Sequence, residues 1–281
     1  MFREHDPRQP ERDGPAELFQ RHLDLPAGPQ RERVGDHSLR GSESRLLATV
    51  GAFRAIPKEE LLTDCGASER DLDRLRQTGL ASTSSFLSGH RRTTIVTLTE
   101  SGLQVVEDNR RPVTDHRPQR FYAGVSRPRE LGHDMRVFSA YVDARERLTR
   151  GGGRIRRVVL EHELKSDYQR FLQEPSRMRS RTRRPNKRDA KAVADWAASQ
   201  DLPVIDDSVR FPDARIEYER PDGTVAREDL EIVTEHYRGA HASRTSAAGF
   251  RCYRSKGQLG GARSSTKGGR SPNPRLAEEM L

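Results

Sequence analysis

Two acidic residues, Asp213 and Glu231, lie at equal distances on either side of a tight-turn sequence. The turn is Pro221-Asp222-Gly223, in which proline fixes φ and glycine accepts the positive φ of a short antiparallel loop. A hairpin centred on Asp222 therefore pairs Asp213 with Glu231. Two carboxylates so placed offer the oxygen ligands that Mg²⁺ prefers, and a magnesium ion can activate water for phosphodiester cleavage.

The same register aligns two pairs of opposite charge across the predicted hairpin, Arg215 with Asp229 and Glu217 with Arg227. Such cross-strand pairs help to fix the pairing of two strands. Because side chains alternate along a strand, one face is predicted to be apolar and the other to carry both carboxylates. The predicted apolar face consists of Ala214, Ile216, Tyr218, Leu230 and Ile232.

The composition is typical of a protein with an anionic partner. The chain has 51 Lys+Arg against 42 Asp+Glu, a formal net charge of +9, and nucleic acid is a common partner of so basic a protein. Only 32% of its 281 residues are hydrophobic, which favours two small domains over one large core. No apolar run reaches the roughly 18 residues of a membrane span, and the polar start lacks a signal segment. We expect a cytoplasmic protein with no membrane partner.

Changes in composition divide the chain into five segments. Residues 1–37 are rich in arginine, proline, glutamate and glutamine and are predicted to be disordered. Residues 38–110 form the first predicted folded unit, and residues 111–130, which contain three prolines, are predicted to be a linker. Residues 131–254 form the second folded unit, and residues 255–281 are predicted to be a flexible basic tail.

The first unit has the predicted order of a helix-turn-helix followed by a hairpin. Pro57 opens a short helix that stops at Gly66, and Ser68 is a good N-cap for the next helix. That next helix is the candidate reader of the DNA major groove. Its outward-facing basic residues are Arg70, Arg74 and Arg76. The basic tip of the following hairpin consists of His90, Arg91 and Arg92.

The second unit contains an arginine-rich segment shortly before the hairpin. Few acidic residues interrupt it, and we expect it to bind DNA phosphates as an extended arm. Each phosphate contact releases counterions, so such binding should weaken steeply as the salt concentration rises. The candidate DNA contacts in this segment are Arg181, Arg183, Arg184, Lys187 and Arg188.

Short motifs in both units resemble a known family. Gly79-Leu80, the Arg91-Arg92 tip and the segment VTLTESG at residues 96–102 are similar to the wing of the multiple-antibiotic-resistance-repressor type of winged helix. The second unit has the element order of the PD-(D/E)xK nuclease core. Together the two units resemble the replication-relaxation family of plasmid and mobile-element proteins. The resemblance implies an α+β fold, with an N-terminal winged helix-turn-helix, a C-terminal α/β restriction-endonuclease-like domain and disordered termini.

The resemblance also assigns roles to residues of the hairpin. Pro212-Asp213 matches the PD element and Glu231 the acidic element, and both carboxylates would hold Mg²⁺ in an active nuclease. Val233 departs from the motif because it occupies the position of the lysine that would neutralise developing charge. Without a metal, the two carboxylates would be surface groups of a polar strand face. Candidate substitutes for the lysine are Lys165, on a strand-like segment beside the hairpin, Arg215 and Arg227.

Three functions follow from this resemblance and from the residues. The resemblance implies a DNA-binding accessory protein of a plasmid or integrative element, acting in replication, DNA relaxation or mobilisation. Its partners would be double-stranded DNA and replication or conjugation proteins. The alternatives are an Mg-dependent endonuclease or nickase and a winged-helix transcriptional regulator. The sequence leaves the oligomeric state open, a dimer included.

Two further features of the sequence have simpler interpretations. His133-Asp134 could form a catalytic pair or a metal ligand, but a single such step more often caps a helix, and we expect a cap here. Cys65 and Cys252 lack the CxxC spacing of zinc and redox sites. We expect both to be ordinary buried thiols.

Overall fold

The computed structural model describes residues 18–88, 91–112, 117–125, 130–178, 190–233 and 248–254. It is a mixed α+β fold whose helices pack on several small sheets. None of the helices in these ranges has the length and apolar character that crossing a lipid bilayer requires. Residues 1–17, the arginine-rich residues 179–189 and the predicted basic tail lie outside the described residues.

The segment 18–39 packs against the rest of the protein. A 3-10 turn at Gln20–His22 leads to an antiparallel hairpin of β1 (Glu32–Val34) and β2 (His37–Leu39). Leu18, Phe19 and Leu23 are buried in the main core. The prediction of disorder over residues 1–37 is therefore wrong for residues 18–37. Their few apolar side chains follow neither a helical nor a strand period, so no local pattern revealed the packing.

The first unit consists of three helices, a small sheet and a fourth helix. Their bounds are α1 (Gly41–Phe53), β3 (Ile56–Pro57), α2 (Lys58–Cys65), α3 (Glu69–Gln77), β4 (Ala81–Ser88), β5 (Arg91–Leu98) and α4 (Glu100–Asp108). The sheet is antiparallel with the order β3-β5-β4. This is the predicted order of helices followed by a hairpin.

The helix boundaries in this unit follow from local chemistry. Gly66 ends α2 with a positive φ of 55°, a conformation that glycine adopts without a steric cost. Ser68 begins α3 and accepts a hydrogen bond from the backbone N–H of Asp71, while the Asp71 carboxylate accepts one from the backbone N–H of Ser68. Thr99 caps α4 by accepting from the N–H of Gly102. The predicted end of α2 at Gly66 and the predicted N-cap of α3 at Ser68 are confirmed.

The second unit is built on a four-stranded sheet with the order β11-β10-β9-β6. The central strand β9 is antiparallel to both of its neighbours, β6 and β10, and β11 runs parallel to β10. The element bounds are α5 (Leu131–Arg150), β6 (Arg154–Leu160), α6 (Glu161–Met178), α7 (Ala190–Ser199), β7 (Val204–Ile205), β8 (Ser208–Val209), β9 (Ala214–Glu219), β10 (Val225–Val233) and β11 (Arg251–Arg254).

The hairpin of β9 and β10 has the predicted register. Arg215 pairs with Asp229 and Glu217 with Arg227, at equal distances from Asp222. The Arg215 Nε atom lies 2.6 Å from Asp229 Oδ1, and the Arg227 Nε atom lies 3.7 Å from Glu217 Oε1. The predicted apolar face is also confirmed, because Ala214, Ile216, Leu230 and Ile232 are buried and Tyr218 packs against them.

The two units share one hydrophobic core. A single cluster of buried side chains runs from Phe53 in α1 and Val96 in β5, through Phe138 and Tyr141 in α5, to Ile216 in β9. The Phe53 and Phe138 rings meet edge to face with their centroids 5.1 Å apart. The expectation of two separate small cores is corrected, because α5 contributes its apolar side to both units at once.

The predicted linker also packs against both units where it is described. Gln119 is buried, and its side chain donates to the carbonyl oxygen of Val158 and accepts from the Val158 N–H. The Tyr122 N–H donates to the carbonyl oxygen of Gly51, 2.8 Å away. Residues 117–125 therefore join α1 to β6, through the backbone of Tyr122 on one side and the side chain of Gln119 on the other.

Candidate functional site

Asp213 lies immediately before β9, at the edge where the sheet meets α5 and α6. Its carbonyl oxygen accepts from the N–H of Glu161, the first residue of α6, at 3.0 Å. Its carboxylate Oδ2 accepts from the backbone N–H of Ile232 in β10, at 2.7 Å. These bonds fix Asp213 between the start of one helix and the outgoing strand of the hairpin.

The second carboxylate oxygen of Asp213 is bonded to a histidine. His133 Nε2, in the first turn of α5, lies 3.2 Å from Asp213 Oδ1. The hydrogen bond to Asp213 raises the pKa of His133 above its ordinary value, against the opposing effect of burial. Charge on the imidazole is therefore stabilised by the carboxylate, and the two side chains form a hydrogen-bonded pair.

The expectation that His133-Asp134 caps a helix is wrong. Glu130 occupies the N-cap position of α5 and makes no side-chain cap bond. Asp134 lies 4.0 Å from the guanidinium of Arg54, and burial raises the pKa of its carboxyl. Both side chains instead contact parts of the protein that are distant in sequence.

Asp213 differs in orientation from the sequence prediction. Alternation places it on the face opposite the apolar side chains, yet its carboxylate reaches His133 on α5, the helix that covers the apolar face. Regular strand pairing ends at Ala214, so the side-chain alternation of β9 does not determine the direction of the Asp213 side chain. Glu231 remains within β10, where it pairs with Cys252 of β11. The two carboxylates thus occupy the same end of the sheet with different orientations.

Lys165 lies on a helix, and the prediction that places it on a strand is wrong. β6 ends at Leu160, and Lys165 is in the second turn of α6. Its Nζ atom is 2.6 Å from Oε1 of Glu161. Because the backbone N–H of Glu161 donates to the backbone carbonyl of Asp213, Lys165 is linked to Asp213 through Glu161. We define His133, Glu161, Lys165 and Asp213 as the carboxylate site.

Sequence reasoning missed Glu161 as a member of this site and gave His133 a different role. The backbone N–H of Glu161 donates to the carbonyl oxygen of Asp213 at 3.0 Å, and the charge of Glu161 adds to the raised pKa of His133. One signal could have identified Glu161, namely its position directly after the apolar strand RIRRVVL. His133 and Asp213 are separated by 80 positions in the chain, and only the fold brings them together.

The other candidate substitutes for the motif lysine have structural partners. The Arg215 side chain is 3% exposed and binds Asp229 and the carbonyl oxygens of Gln200 and Asp201. Arg227 pairs with the carboxylates of Asp201 and Glu217. Their guanidinium groups thus stabilise the β9–β10 hairpin. Val233 is the last residue of β10 and pairs with Arg254 in β11.

The predicted magnesium ligands are Asp213 of the carboxylate site and Glu231 of β10, which lies outside that site as defined. Asp213 and Glu231 supply the oxygen ligands that Mg²⁺ takes, and each carboxylate oxygen can accept a second partner. Within the described ranges, no group of three or more His, Cys, Asp and Glu side chains is arranged to hold a metal ion. The magnesium ion therefore stays a prediction, with Asp213 and Glu231 as its ligands.

A second candidate site is the outward side of α3. Its inward residues Leu72 and Leu75 are buried, and its basic residues are exposed as predicted. These exposed residues are Arg70, Arg74 and Arg76. Arg76 pairs with Asp73 on the same helix at 2.9 Å. Of the predicted hairpin tip, Arg92 is exposed, Arg91 belongs to β5 and His90 lies outside the described residues.

A partly buried ion pair, with Asp71 buried and Arg40 34% exposed, joins α3 to the start of α1. Arg40 binds the Asp71 carboxylate through its Nε and Nη2 atoms, and Ser68 donates to the same carboxylate. Burial alone would raise the pKa of Asp71, but the bonds from Ser68 and Arg40 outweigh it and lower the pKa to about 2. The orientation of α3 relative to α1 therefore depends on the ion pair between Arg40 and Asp71.

The two cysteines are the remaining predicted residues that the structure describes. Cys65 is buried beside Thr49, and burial raises the pKa of its thiol to about 12, as expected for an unreactive cysteine. Cys252 is exposed, so the expectation of a buried thiol is wrong there. The candidate DNA contacts Arg181, Arg183, Arg184, Lys187 and Arg188 lie outside the described residues.

The chain was compared with known proteins. It matches no protein-family model, no curated protein and no solved structure.

Proposed function

We propose that this protein binds duplex DNA through α3 and the β4–β5 hairpin, as a winged helix-turn-helix does. The observation that carries the proposal is the division of α3 into two sides. Leu72 and Leu75 hold the helix on the core, while the basic side, with Arg70, Arg74 and Arg76, is exposed. A helix of this kind can enter the major groove and place arginines near base edges and phosphates.

The hairpin supports the same proposal. Strands β4 and β5 pair along their whole length, from Ala81 opposite Leu98 to Ser88 opposite Arg91. The exposed Arg92 lies close to the tip, where a cationic side chain can bind a backbone phosphate. Phosphate contacts of this kind position the duplex without reading its sequence.

We further propose that the protein acts as an accessory factor of a plasmid or integrative element, in replication, DNA relaxation or mobilisation. The resemblance of its motifs to the replication-relaxation family supports this role. The second unit supports it as well, because α5, β6, the β9–β10 hairpin and β11 occur in the predicted chain order, with α6, α7 and the β7–β8 hairpin inserted before β9. The helix predicted between the hairpin and the last strand lies outside the described residues. In this role the second unit would engage DNA or replication and conjugation proteins.

A second candidate function is that of an Mg-dependent endonuclease or nickase. The observation that favours it is the carboxylate site, where Asp213 is held at the sheet edge beside His133, Glu161 and Lys165. A magnesium ion bound by Asp213 and Glu231 would polarise the scissile phosphate. Lys165, which pairs with Glu161, is the candidate substitute for the missing motif lysine. A transcriptional regulator would need only the first unit and leaves this site unused.

DNA binding is tested by fluorescence anisotropy with a labelled duplex at several salt concentrations. Replacing Arg70 and Arg74 by alanine should weaken binding and lower the slope of log affinity against log salt by about 0.9 for each phosphate that is no longer neutralised. Arg154→Ala is the matched control, because Arg154 is an exposed arginine of the second unit, paired with Glu219. Equal affinity of the double variant and the wild type would refute the proposed DNA-binding face.

Cleavage is tested with supercoiled plasmid and Mg²⁺ or Mn²⁺. Nicking by the wild type that disappears in Asp213→Ala and in Glu231→Ala would establish the nuclease. Val233→Lys restores the motif lysine and should then raise the nicking rate. A wild type that binds DNA and leaves the plasmid intact would exclude the nuclease and retain the accessory role.

A further inference from the structure

The most exposed large hydrophobic side chain among the described residues lies near the tip of the β4–β5 hairpin. Leu87 is 65% exposed, against 54% for Val225 and 41% for Val204. A single exposed leucine on a protein surface is ordinary, and its exposure alone indicates no partner. The side chains that surround Leu87 on the sheet are what distinguish it.

The two faces of the small sheet in the first unit pack against different helices. On one face, the Leu98 Cδ1 atom lies 3.0 Å from the position that a Cβ atom would take at Gly51 in α1. On the other face, the Phe86 ring lies 3.6 Å from the same position at Gly132 in α5. One face therefore covers α1, against which α3 also packs, and the other covers α5.

Leu87 and Arg92 lie side by side on the α1 face of the sheet. Ala81 is opposite Leu98 in the register, and alternation along β4 places Leu87, an even number of residues later, on the same face as Ala81. Leu87 is itself opposite Arg92, and side chains opposite each other on antiparallel strands share a face, with Cβ atoms about 4.5 to 5.5 Å apart. Both side chains are exposed. The hairpin thus presents an apolar group and a cation together, close to the end of strand pairing.

Between the core and the tip, the α1 face of the hairpin carries hydroxyl groups that solvent can reach. They belong to Thr83 and Ser85 in β4 and to Thr94 in β5. A hydroxyl can donate a hydrogen bond to a phosphate oxygen. The face therefore offers donors to a nucleic-acid backbone up to the point where Leu87 and Arg92 begin.

These neighbours favour a DNA duplex over a protein surface as the partner of Leu87. A protein interface is built on a contiguous apolar patch, whereas Leu87 is surrounded on its face by hydroxyl groups and a guanidinium. Proteins that bind the minor groove combine basic side chains with an apolar wedge, often a leucine, that enters between two base pairs. The negative potential of the minor groove attracts arginine, so Arg92 would guide the hairpin into it.

We propose that Leu87 enters the minor groove as a wedge and partly unstacks one base step, so that this protein bends the duplex it binds. Insertions of this kind kink DNA by about 20 to 90° towards the major groove. The inference rests on the proposed binding of duplex DNA by α3 and the β4–β5 hairpin. It adds DNA bending to that function and assigns the bend to one side chain.

Closure of short DNA fragments by a ligase tests the proposal without a known binding sequence. Fragments of about 100 base pairs are shorter than the DNA persistence length of about 150 base pairs, so they seldom close unaided. The full-length wild type, titrated until fluorescence anisotropy shows saturation, should raise the yield of circles about tenfold, because a bent fragment needs less further bending to close. A wild type that saturates the duplex without raising the yield would overturn the wedge and leave DNA binding intact. A wild type that does not bind duplex DNA would refute the proposed function, and the wedge with it.

Three variants separate the leucine from the rest of the hairpin. Leu87→Ala should lower the yield of circles nearly to that of free DNA, when measured at saturation so that a change in affinity does not contribute. Leu87→Met keeps an apolar side chain of similar volume and should retain most of the wild-type yield. Val225→Ala is the matched control and should preserve the yield, because Val225 is an exposed apolar residue of the second unit. A yield for Leu87→Ala equal to that of the wild type would also overturn the proposal.

Discussion

The basic side of α3 and the carboxylate site are assembled in different ways. α3 obtains its two sides from helical spacing alone, with Leu72 and Leu75 inward and the arginines outward. The carboxylate site draws on α5, α6 and the start of β9, and its hydrogen bonds join residues far apart in the chain. A substitution on the basic side of α3 should therefore weaken DNA binding with little effect on the stability of the fold. A substitution at the carboxylate site should affect both binding and stability.

The largest expected effect is at the core that the two regions share. Phe138→Ala removes the ring that packs on Phe53 and should lower the free energy of unfolding by about 3 to 5 kcal/mol. Because the core is continuous, both units should unfold in one transition. Urea unfolding followed by the fluorescence of Trp196, in the second unit, and by circular dichroism should give coincident curves. Two separate transitions would show that the units fold independently.

The next largest effect is expected at the ion pair that orients α3. Asp71→Asn weakens the bonds from Ser68 and Arg40 and should cost about 2 kcal/mol of unfolding free energy at pH 7. The folded pKa of Asp71 is lowered to about 2, below its unfolded value of about 3.9. Its stabilisation is therefore present above about pH 4 and is lost as the pH falls towards 2.

Urea unfolding at pH 7 and at pH 2.5 checks this expectation. The free energy of unfolding should fall more from pH 7 to pH 2.5 in the wild type than in Asp71→Asn. Asp73→Asn is the control, since Asp73 is an exposed partner of Arg76 on the same helix. An equal loss of stability in wild type and Asp71→Asn would contradict the lowered pKa.

A smaller effect is expected at the carboxylate site. The pKa of His133 is raised by Asp213, so the stability that this pair contributes is complete below the unfolded pKa of about 6.5. That stability is lost as the pH rises through the folded pKa. The His133 side chain is 37% exposed, and solvent weakens the pair to less than about 1 kcal/mol.

The measurement for His133 is its titration by NMR in the wild type and in Asp213→Asn. The pKa should fall in the variant, because the carboxylate that stabilises the imidazolium has been removed. A His133 pKa that does not move would remove the hydrogen-bonded pair from the description of the site.

The smallest effect on stability is expected on the basic side of α3. Arg74 is exposed, so Arg74→Ala should change the free energy of unfolding by less than about 0.5 kcal/mol. Its affinity for duplex DNA should nevertheless fall. Thermal unfolding and anisotropy on the same preparation compare the two quantities. A large loss of stability would show that Arg74 has a structural role and would weaken the contrast with the carboxylate site.

Local patterns predicted a good part of this structure. The Pro221-Asp222-Gly223 turn and the charges of Arg215 and Asp229 predicted the register of the hairpin, and the structure has that register. Gly66 and Ser68 predicted where α2 ends and α3 begins. These features depend on hydrogen bonds and side-chain spacing within a few residues, which the sequence contains directly.

The tertiary structure decided what local patterns could not. The Asp213 side chain turns towards His133 because the regular pairing of β9 begins only at the next residue, Ala214. Glu161 joins the site because α6 starts where β6 ends. The segment 18–39 joins the core, and Arg21 there binds the carbonyl oxygen of Arg156. Contacts between such distant positions depend on how whole elements pack. The sequence by itself determined the hairpin register, the boundary between α2 and α3 at Gly66 and Ser68, and the basic side of α3. Packing decided which distant side chains meet at Asp213.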